Sequence, residues 1–464
     1  MKVVLATLGS LGDLYPFMAL GLALRALGHE PILATHEEFR PLVAPSGLAF
    51  SAMRPSHDDI VRTTGIALSG LVQRASQDPW FLLRDVYLPF TPKIYEDISA
   101  LADDAALIVT HNWVFGAIIA AEARQIPLAR INVSPLFLQS AMRPSTTGGA
   151  PYVPEPKTAV GQLWNRAVRE IVRRQLHKKM APAYAFRRKI GLPNTDYDFV
   201  FDFGRDDPAA LILGLYSPVL AKLQPDHPAK AQLMGFPQFD GGPRAMPPGL
   251  APFLADGPAP VVFTLGSFVV NASEDFYRNG LAACRALGLR SVLIAGEDEI
   301  ARLKPLLGPD TFACGYAPHS EVFPRCAAIV HHGGIGTTGQ ALKSGKPQLV
   351  VPFLGDQPDN SRRLVALGVA RRLMAVRRFR PETCTAVRLK DELGCLLARP
   401  NYARTAATVA RRIAGEHGAS AAANRLDALL SAQKPQWNGG KAMGLGRSKP
   451  RPSVGHFPVS IAVS

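Results

Sequence analysis

Short apolar runs alternate along this chain with longer stretches in which apolar residues recur every third or fourth position, and the alternation occurs twice. Runs of the first kind predict buried strands, and stretches of the second kind predict helices with one face on a core. In the first half, residues 3–6 form a strand, 17–27 a helix stopped by Gly28, and 31–35 the next strand. Residues 107–110, a helix over 114–124 and 128–133 repeat the unit, and 211–215 closes it. The second half places strands at 261–265, 291–294, 312–315, 327–330 and 349–353, then a helix over 403–414 and a segment over 419–430. Strands that alternate with helices pair in parallel and are covered on both faces, so two α/β units are expected.

Residues 216–259 are rich in proline and glycine, among them Pro237, Gly241, Gly242, Pro247, Pro248 and Gly249, the composition of a linker. The expected organisation is 1–215, a first α/β domain; 216–259, a linker; 260–432, a second α/β domain; and 433–464, a tail. A chain of 464 residues exceeds what one hydrophobic core organises, and an apolar share of 47% is ample for two. The five cysteines (Cys284, Cys314, Cys326, Cys384 and Cys395) are scattered and lack paired spacing, which points to thiols in a reducing cytoplasm. No apolar run is long enough to span a bilayer, and the first residues enter a strand directly, so neither a transmembrane helix nor a signal peptide is expected.

The densest chemistry lies in residues 327–360, AAIVHHGGIGTTGQALKSGKPQLVVPFLGDQPDN. His331 and His332 end a strand, and Gly333, Gly334 and Gly336 let the backbone turn sharply and approach a ligand closely. Thr337 and Thr338 open a helix to about Lys343, so amides, hydroxyls and the positive end of a helix dipole converge where a diphosphate would fit. The strand over 347–353 then delivers Asp356, Gln357, Asp359 and Asn360 to the same rim, where carboxylates and amides bind hydroxyls. A phosphate cradle beside a hydroxyl binder suggests a nucleotide sugar. Gly334, Gly336 and Gly339 also spell a dinucleotide fingerprint, but that motif follows the first strand of its domain, and this one comes after several.

The segment resembles the donor-binding signature of the GT-B nucleotide-sugar glycosyltransferases, the UDP-glycosyltransferase superfamily. Within it, the chain looks like the bacterial branch containing the rhamnolipid rhamnosyltransferase catalytic subunit and antibiotic and sterol glycosyltransferases. The resemblance extends to the loop from Gly9 to Pro16 (GSLGDLYP), to Ile131-Asn132-Val133-Ser134-Pro135, to 262–267 and to Tyr316-Ala317-Pro318-His319, nearly the whole chain up to about residue 432. It implies two Rossmann-like parallel-sheet domains facing each other across a cleft. The first would bind the acceptor and the second the nucleotide sugar, with a late helix crossing back to the first.

The resemblance also implies roles for residues. Asp13 is the expected catalytic base; many plant relatives place a histidine in this loop. An unperturbed carboxylate, with a pKa of about 3.9, is a weak base, so burial or hydrogen bonding has to help it. The alternative role for Asp13 is to cap the helix after it. His332 is expected on the diphosphate, with Ser267, Gly334, Thr337 and Thr338 as further donors, and His331 inside the fold. Asp356 and Gln357 match residues that read sugar hydroxyls. Tyr316 matches an aromatic that stacks on the base, with Ala317 offering backbone hydrogen bonds. Gln340 stands where many UDP-sugar enzymes carry a ribose-binding glutamate, which is compatible with a thymidine nucleotide. Gly12, His111 and Asn112 are placed on the acceptor side, and the aromatic stretch over 51–101 is read either as core or as the wall of the acceptor pocket. No metal and no cofactor beyond the sugar nucleotide are expected.

The formal net charge of +15 is unevenly spread. Lys434, Lys441, Arg447, Lys449 and Arg451 fall in the tail, which has no acids and reads as disordered. Between 161 and 190, Arg166, Arg169, Arg173, Arg174, Lys178, Lys179, Arg187, Arg188 and Lys189 face only Glu170. On a helical wheel Arg166, Arg169 and Arg173 share one side and Trp164, Val168 and Ile171 the other, a basic amphipathic helix. It reads as a solvated face or as peripheral attachment to an anionic membrane, at the inner face of the membrane of the cell. No nucleic-acid module accompanies the charge. The expected activity is inverting transfer of a hexosyl group from dTDP-rhamnose or a UDP-hexose to a hydroxyl of a lipid or other hydrophobic acceptor. A nucleotide-sugar epimerase of the same fold and a non-catalytic nucleotide-sugar-binding subunit are the alternatives.

Overall fold

The computed structural model describes residues 1–78, 80–146, 153–203, 207–242, 245–266, 275–373 and 384–432. Ser267 and the basic tail lie outside the described residues. The first sheet has strands β1 (Lys2–Ala6), β2 (Glu30–Thr35), β3 (Ala49–Ala52), β4 (Leu107–His111), β5 (Leu128–Asn132), β6 (Leu211–Gly214) and β7 (Ala231–Leu233). They run in the order β3-β2-β1-β4-β5-β6-β7, all parallel. The second sheet has β8 (Val261–Thr264), β9 (Ser291–Ile294), β10 (Thr311–Cys314), β11 (Ala328–His331), β12 (Gln348–Val350) and β13 (Ala370–Arg372). Its order is β10-β9-β8-β11-β12-β13, again parallel. Buried apolar side chains fill both sheets, as parallel strands covered on both faces require.

In each sheet the chain starts in the middle and reverses direction of progress once, between β1 and β4 and between β8 and β11. Open parallel sheets bind ligands at the carboxyl ends of strands flanking such a reversal, because the connections leave in opposite directions and open a crevice. Asp13 follows β1, His111 ends β4, Gly266 follows β8 and His332 follows β11, so the candidate residues sit at these two points.

The helices that matter for the site are α1 (Leu11–Ala26), α2 (Phe115–Arg124), α3 (Ala159–Lys179), α4 (Ala181–Lys189), α5 (Ile335–Ser344), α6 (Gln357–Ala366), α7 (Pro400–Ile413) and α8 (Gly418–Ala432). The last of these returns to the first sheet's side of the molecule. It packs on α1, and Asp427 meets His29 at 3.1 Å. Just before it, Glu416 receives the Ser217 hydroxyl at 2.6 Å and the Phe236 amide at 3.2 Å.

Two boundaries differ from the expectation. Helix α1 starts at Leu11, six residues before the expected start at 17, because Ser10 caps it and Pro16 is accepted inside the helix at the loss of one amide donor. Residues 231–233, expected in the linker, pair with β6 as the edge strand of the first sheet. Cys284, Cys314, Cys326 and Cys384 are buried, Cys395 is exposed, and all five are free. Among the described residues no helix is long and apolar enough to cross a membrane.

Candidate active site

The carboxyl ends of the two sheets enclose a cavity of about 450 Å³. On the first-domain side its wall is the turn from Gly9 to Asp13 together with Leu82, Tyr87, Trp113, Val133, Leu136 and Phe137. Asp13 is the third residue of α1. Its Oδ2 accepts from the Ser10 amide at 2.8 Å and the Ser10 hydroxyl at 3.3 Å, while Ser10 Oγ accepts from the Gly12 amide at 3.2 Å, a capping box. Its Oδ1 faces His111 Nε2 at 3.6 Å. Capping and a role in the cleft are thus compatible, because they use different oxygens. Burial lifts the Asp13 carboxyl from its ordinary 3.8 to about 7; the two Ser10 hydrogen bonds pull it down, and the negative charge of Asp356 adds to the rise.

His111 is fully buried behind Asp13, edge-on to Phe17 and Phe137. Burial, aided by the Arg130 charge, lowers its pKa to about 3, so the ring is neutral. Asn112 is also fully buried, and its Nδ2 donates to the Val200 carbonyl at 2.8 Å. Of the three acceptor-side residues, Gly12 lines the cavity, whereas His111 supports Asp13 from behind and Asn112 ties down the loop at 200. From the aromatic stretch over 51–101, Tyr87 reaches the cavity, stacked on Trp113 with ring centroids 5.2 Å apart. Phe81 and Phe90 are core.

On the second-domain side, the β11–α5 turn shows why its residue types are needed. His331 is fully buried: its Nδ1 accepts from the Gly333 amide at 3.1 Å, which makes Nε2 the donor to Gln348 Oε1 at 3.0 Å. It shapes the turn. His332 projects into the cavity, its ring lying in a slot made by two glycines. A Cβ on Gly334 would sit 2.3 Å from its Nε2, and one on Gly266 2.7 Å from its Cε1. Burial lowers the His332 pKa to about 3, with smaller contributions from His331 and His319, so this ring too is neutral and offers one N–H. Its Nδ1 has no partner among the described residues.

Helix α5 begins at Ile335, two residues earlier than expected, and its N-cap Gly334 offers no side-chain cap, so its first amides point at the cavity. Thr337 lines the cavity, but Thr338 is fully buried and is not part of its wall. A side chain at Gly336 would start 4.0 Å from the Cα of Gly12, so the helix end and the Asp13 turn face each other at close range.

The rim residues divide into two groups. Asp356 and Gln357 line the cavity. Asp356 accepts from Asn360 Nδ2 at 2.8 Å and is hydrogen-bonded by Ser134 of the opposite domain, yet burial still lifts it to about 6. Gln357 Oε1 accepts from the Phe353 and Leu354 amides at 2.8 and 3.2 Å, leaving its NH₂ as the donor. Asp359 and Asn360, expected on the rim, are fully buried and brace it instead. Asp359 binds Arg362 and Arg363 at 3.0 and 2.7 Å and the Thr146 amide at 3.1 Å, while Asn360 Nδ2 donates to the Gly333 carbonyl at 2.9 Å.

At the far end, Tyr316, Ala317 and Gln340 line the cavity together with Asp240 of the interdomain segment. Asp240 is the organising residue there. Its carboxylate accepts from Gln340 Nε2 at 2.5 Å and the Ser320 amide at 3.2 Å, and its carbonyl accepts from the Tyr316 hydroxyl at 3.1 Å. Sequence reasoning missed Asp240, as it missed Trp113 and Phe137, since nothing local marks an acid in a Pro- and Gly-rich segment as a partner for a helix 100 residues later. Among the described residues no group of three or more His, Cys, Asp or Glu is placed to hold a metal ion.

Comparison with known proteins places the chain in a family. Residues 3–143 match the glycosyltransferase family 28 N-terminal domain, and residues 294–429 match the erythromycin biosynthesis protein CIII-like C-terminal domain. The chain is 30% identical over 404 residues to the O-mycaminosyltylonolide 6-deoxyallosyltransferase of Streptomyces fradiae, covering 83% of this chain and 88% of the relative. It is 31% identical over 375 residues to the vancomycin aglycone glucosyltransferase of Amycolatopsis orientalis, covering 80% and 85%. The solved structure of glycosyltransferase VinC in complex with dTDP superposes with a TM-score of 0.64 at 21% identity, over 93% of this chain and 100% of that one. The chain therefore belongs to the UDP-glycosyltransferase superfamily and is a glycosyltransferase of the GT-B fold.

Proposed function

We propose that the protein is an inverting, metal-independent hexosyltransferase that moves a sugar from a nucleoside diphosphate to a hydroxyl of an apolar acceptor. The observation that carries this reading is the placement of Asp13, lifted to about 7, opposite the uncapped end of α5 in one cavity. An acceptor O–H beside Asp13 gives its proton to the carboxylate as its oxygen forms a bond to the anomeric carbon. The bond from that carbon to the diphosphate breaks, and its electron pair leaves with the diphosphate. Attack from the side opposite the leaving group inverts the centre. The growing phosphate charge is met by the α5 amides, Thr337 and the neutral His332 N–H, preorganised donors that assign no step to a metal. Ser267, which follows Gly266 in the chain, completes this cradle in the same reading. Asp356 and Gln357 hold sugar hydroxyls, and Tyr316 with the Ala317 backbone holds the base.

The acceptor is apolar in this reading because Leu82, Tyr87, Trp113, Val133, Leu136 and Phe137 form the wall next to Asp13. That wall also favours a transferase over an epimerase, which has no acceptor to house. The donor is a dTDP-sugar, dTDP-rhamnose foremost, with a UDP-hexose second. Gln340 places an amide, bonded to Asp240, where a ribose-binding glutamate would offer its own carboxylate to the 2′-hydroxyl. The 6-deoxyallosyl group in the name of one relative and the dTDP of the VinC complex are in keeping with a deoxysugar on a thymidine nucleotide.

The test is incubation of the purified protein with dTDP- and UDP-sugars and hydroxylated lipid, sterol and macrolactone acceptors. The expected products are free nucleoside diphosphate and a glycoside of inverted anomeric configuration. Consumption of sugar nucleotide with no glycoside formed on any acceptor would contradict the proposal.

A further inference from the structure

Helix α3 presents to solvent the face that its sequence pattern assigns to the protein. Arg169 and Arg173 turn inward: Arg169 reaches Asp226 at 3.0 Å and the Gln139 carbonyl at 3.1 Å, and Arg173 pairs with Glu170 at 2.9 Å beside Asp198. Asn165 is buried between them and the chain, with Nδ2 donating to the Ala141 and Pro154 carbonyls at 3.1 and 3.0 Å. The helix is therefore attached largely by polar contacts. Leu176 is buried in the core, but four other apolar residues point out: Val160, Leu163, Trp164 and Ile171 are 78%, 67%, 67% and 60% exposed. At about 100° per residue, these four fall within a stripe roughly 100° wide.

The polar residues around the stripe are mostly cationic. Lys157, Arg166, Lys178 and Lys179 are exposed on or next to α3, as are Arg188 and Lys189 on α4. Glu170 is taken up by Arg173 and Arg174, and Glu155, just before the helix, by Arg143 and Arg362; Asp196, beside Lys178, is a further exposed acid near it. Charge selects what covers the stripe. A second copy of the chain would bring the same positive residues against these. The tail adds Lys434, Lys441, Arg447, Lys449 and Arg451 and no acid, so it too is repelled. An anionic bilayer offers an apolar interior and negative headgroups together.

We propose that α3 docks the protein on an anionic lipid surface, with Val160, Leu163, Trp164 and Ile171 inserted among the acyl chains and the flanking cations on the headgroups. Docking also has a bearing on the cleft. Arg169 and Asn165 hold the carbonyls of Gln139 and Ala141, in the segment that leaves the cavity wall at Leu136 and Phe137. A docked α3 thus sets the apolar wall next to Asp13 close to the membrane. This last consequence rests on the proposed acceptor class; the docking itself does not.

The test is co-sedimentation of the full-length protein with vesicles of phosphatidylcholine alone or mixed with phosphatidylglycerol. Wild type is compared with a Leu163→Ser, Trp164→Ser, Ile171→Ser variant and with an Arg166→Glu, Lys178→Glu variant. The basic tail is common to all three and cancels in the comparison. All the substituted side chains are exposed, so thermal midpoints and dTDP-induced shifts should match wild type, which separates this result from failure of the transferase reading. The expected result is binding to the anionic vesicles that weakens by about tenfold or more in each variant. Equal binding of wild type and the serine variant, or equal binding of wild type to both vesicles, would overturn the proposal. So would conversion of a wild-type dimer into a monomer by the serine substitutions with vesicle binding unchanged, since a second copy would then be the occupant.

Discussion

Oδ1 of Asp13 lies 3.6 Å from Nε2 of His111, while Oδ2 of the same carboxylate holds the Ser10 amide at 2.8 Å. One oxygen is committed to the helix cap and the other is not, and the imidazole behind it is neutral because it is buried. The free carboxylate oxygen is what the account assigns to the acceptor proton.

This makes activity and stability move in opposite directions with pH. A base with a pKa of about 7 should give a kcat/KM that rises through about pH 7 to a plateau. For stability, the folded-state value of about 7 lies above the ordinary 3.8, so the folded protein holds this proton more tightly than the unfolded chain. Its contribution is full below about pH 4 and is lost as pH rises through 7. Asp13→Asn, which never ionises, should therefore melt above wild type at pH 8 and lose that advantage toward pH 4. Thermal unfolding across this range checks it; an unchanged gap between the two proteins would show that Asp13 is well solvated.

His111→Phe separates the base from its neighbour. The ring already packs edge-on against Phe17 and Phe137, so phenylalanine fits, and it removes only a neutral imidazole beyond hydrogen-bond range. Transfer should stay within about tenfold of wild type, far from the loss expected for a missing general base. A fall as deep as that of Asp13→Asn would move the base to His111.

Gly334→Ala should mimic His332→Ala. The backbone at Gly334 (φ −61°) tolerates alanine, but the new Cβ would sit 2.3 Å from His332 Nε2 and expel the ring from its slot. Both variants should fold, while transfer drops by about tenfold or more as a diphosphate donor is lost. Wild-type turnover in either would remove His332 from the cradle.

The Gln340–Asp240 bond fixes the nucleoside end. If it reflects a thymidine nucleotide, dTDP should raise the unfolding midpoint more than UDP at equal concentration. Gln340→Glu turns the donor into a second carboxylate facing Asp240 and should lower stability, and Asp240→Asn added to it should restore stability. A larger shift with UDP would overturn the donor assignment.

Much of the fold was legible in the apolar rhythm, since parallel strands buried on both faces leave continuous apolar runs, and the turn at His332 was legible because its glycines serve close approach. What was not legible came from distance or from direction. Asp356, Gln357, Asp359 and Asn360 look alike as a polar run, but α6 begins at Gln357 and its turn carries Asp359 and Asn360 under the rim. The wheel of α3 has two distinct faces, yet which one the protein takes depends on Asp226 and Asp198, far along the chain. Trp113 comes from a turn and Phe137 from a single 3-10 turn, both too short for a period to mark them.

The central claim is that Asp13 accepts the acceptor proton in a glycosyl transfer. It is tested most directly by single-turnover transfer with Asp13→Asn, with dTDP binding measured on the same preparation. The account predicts transfer slowed by roughly 10²-fold or more, the scale of general-base catalysis, with nucleotide affinity unchanged. Asparagine still accepts the Ser10 amide, so the cap survives either way. Transfer at the wild-type rate would leave Asp13 as a helix cap alone and contradict the account.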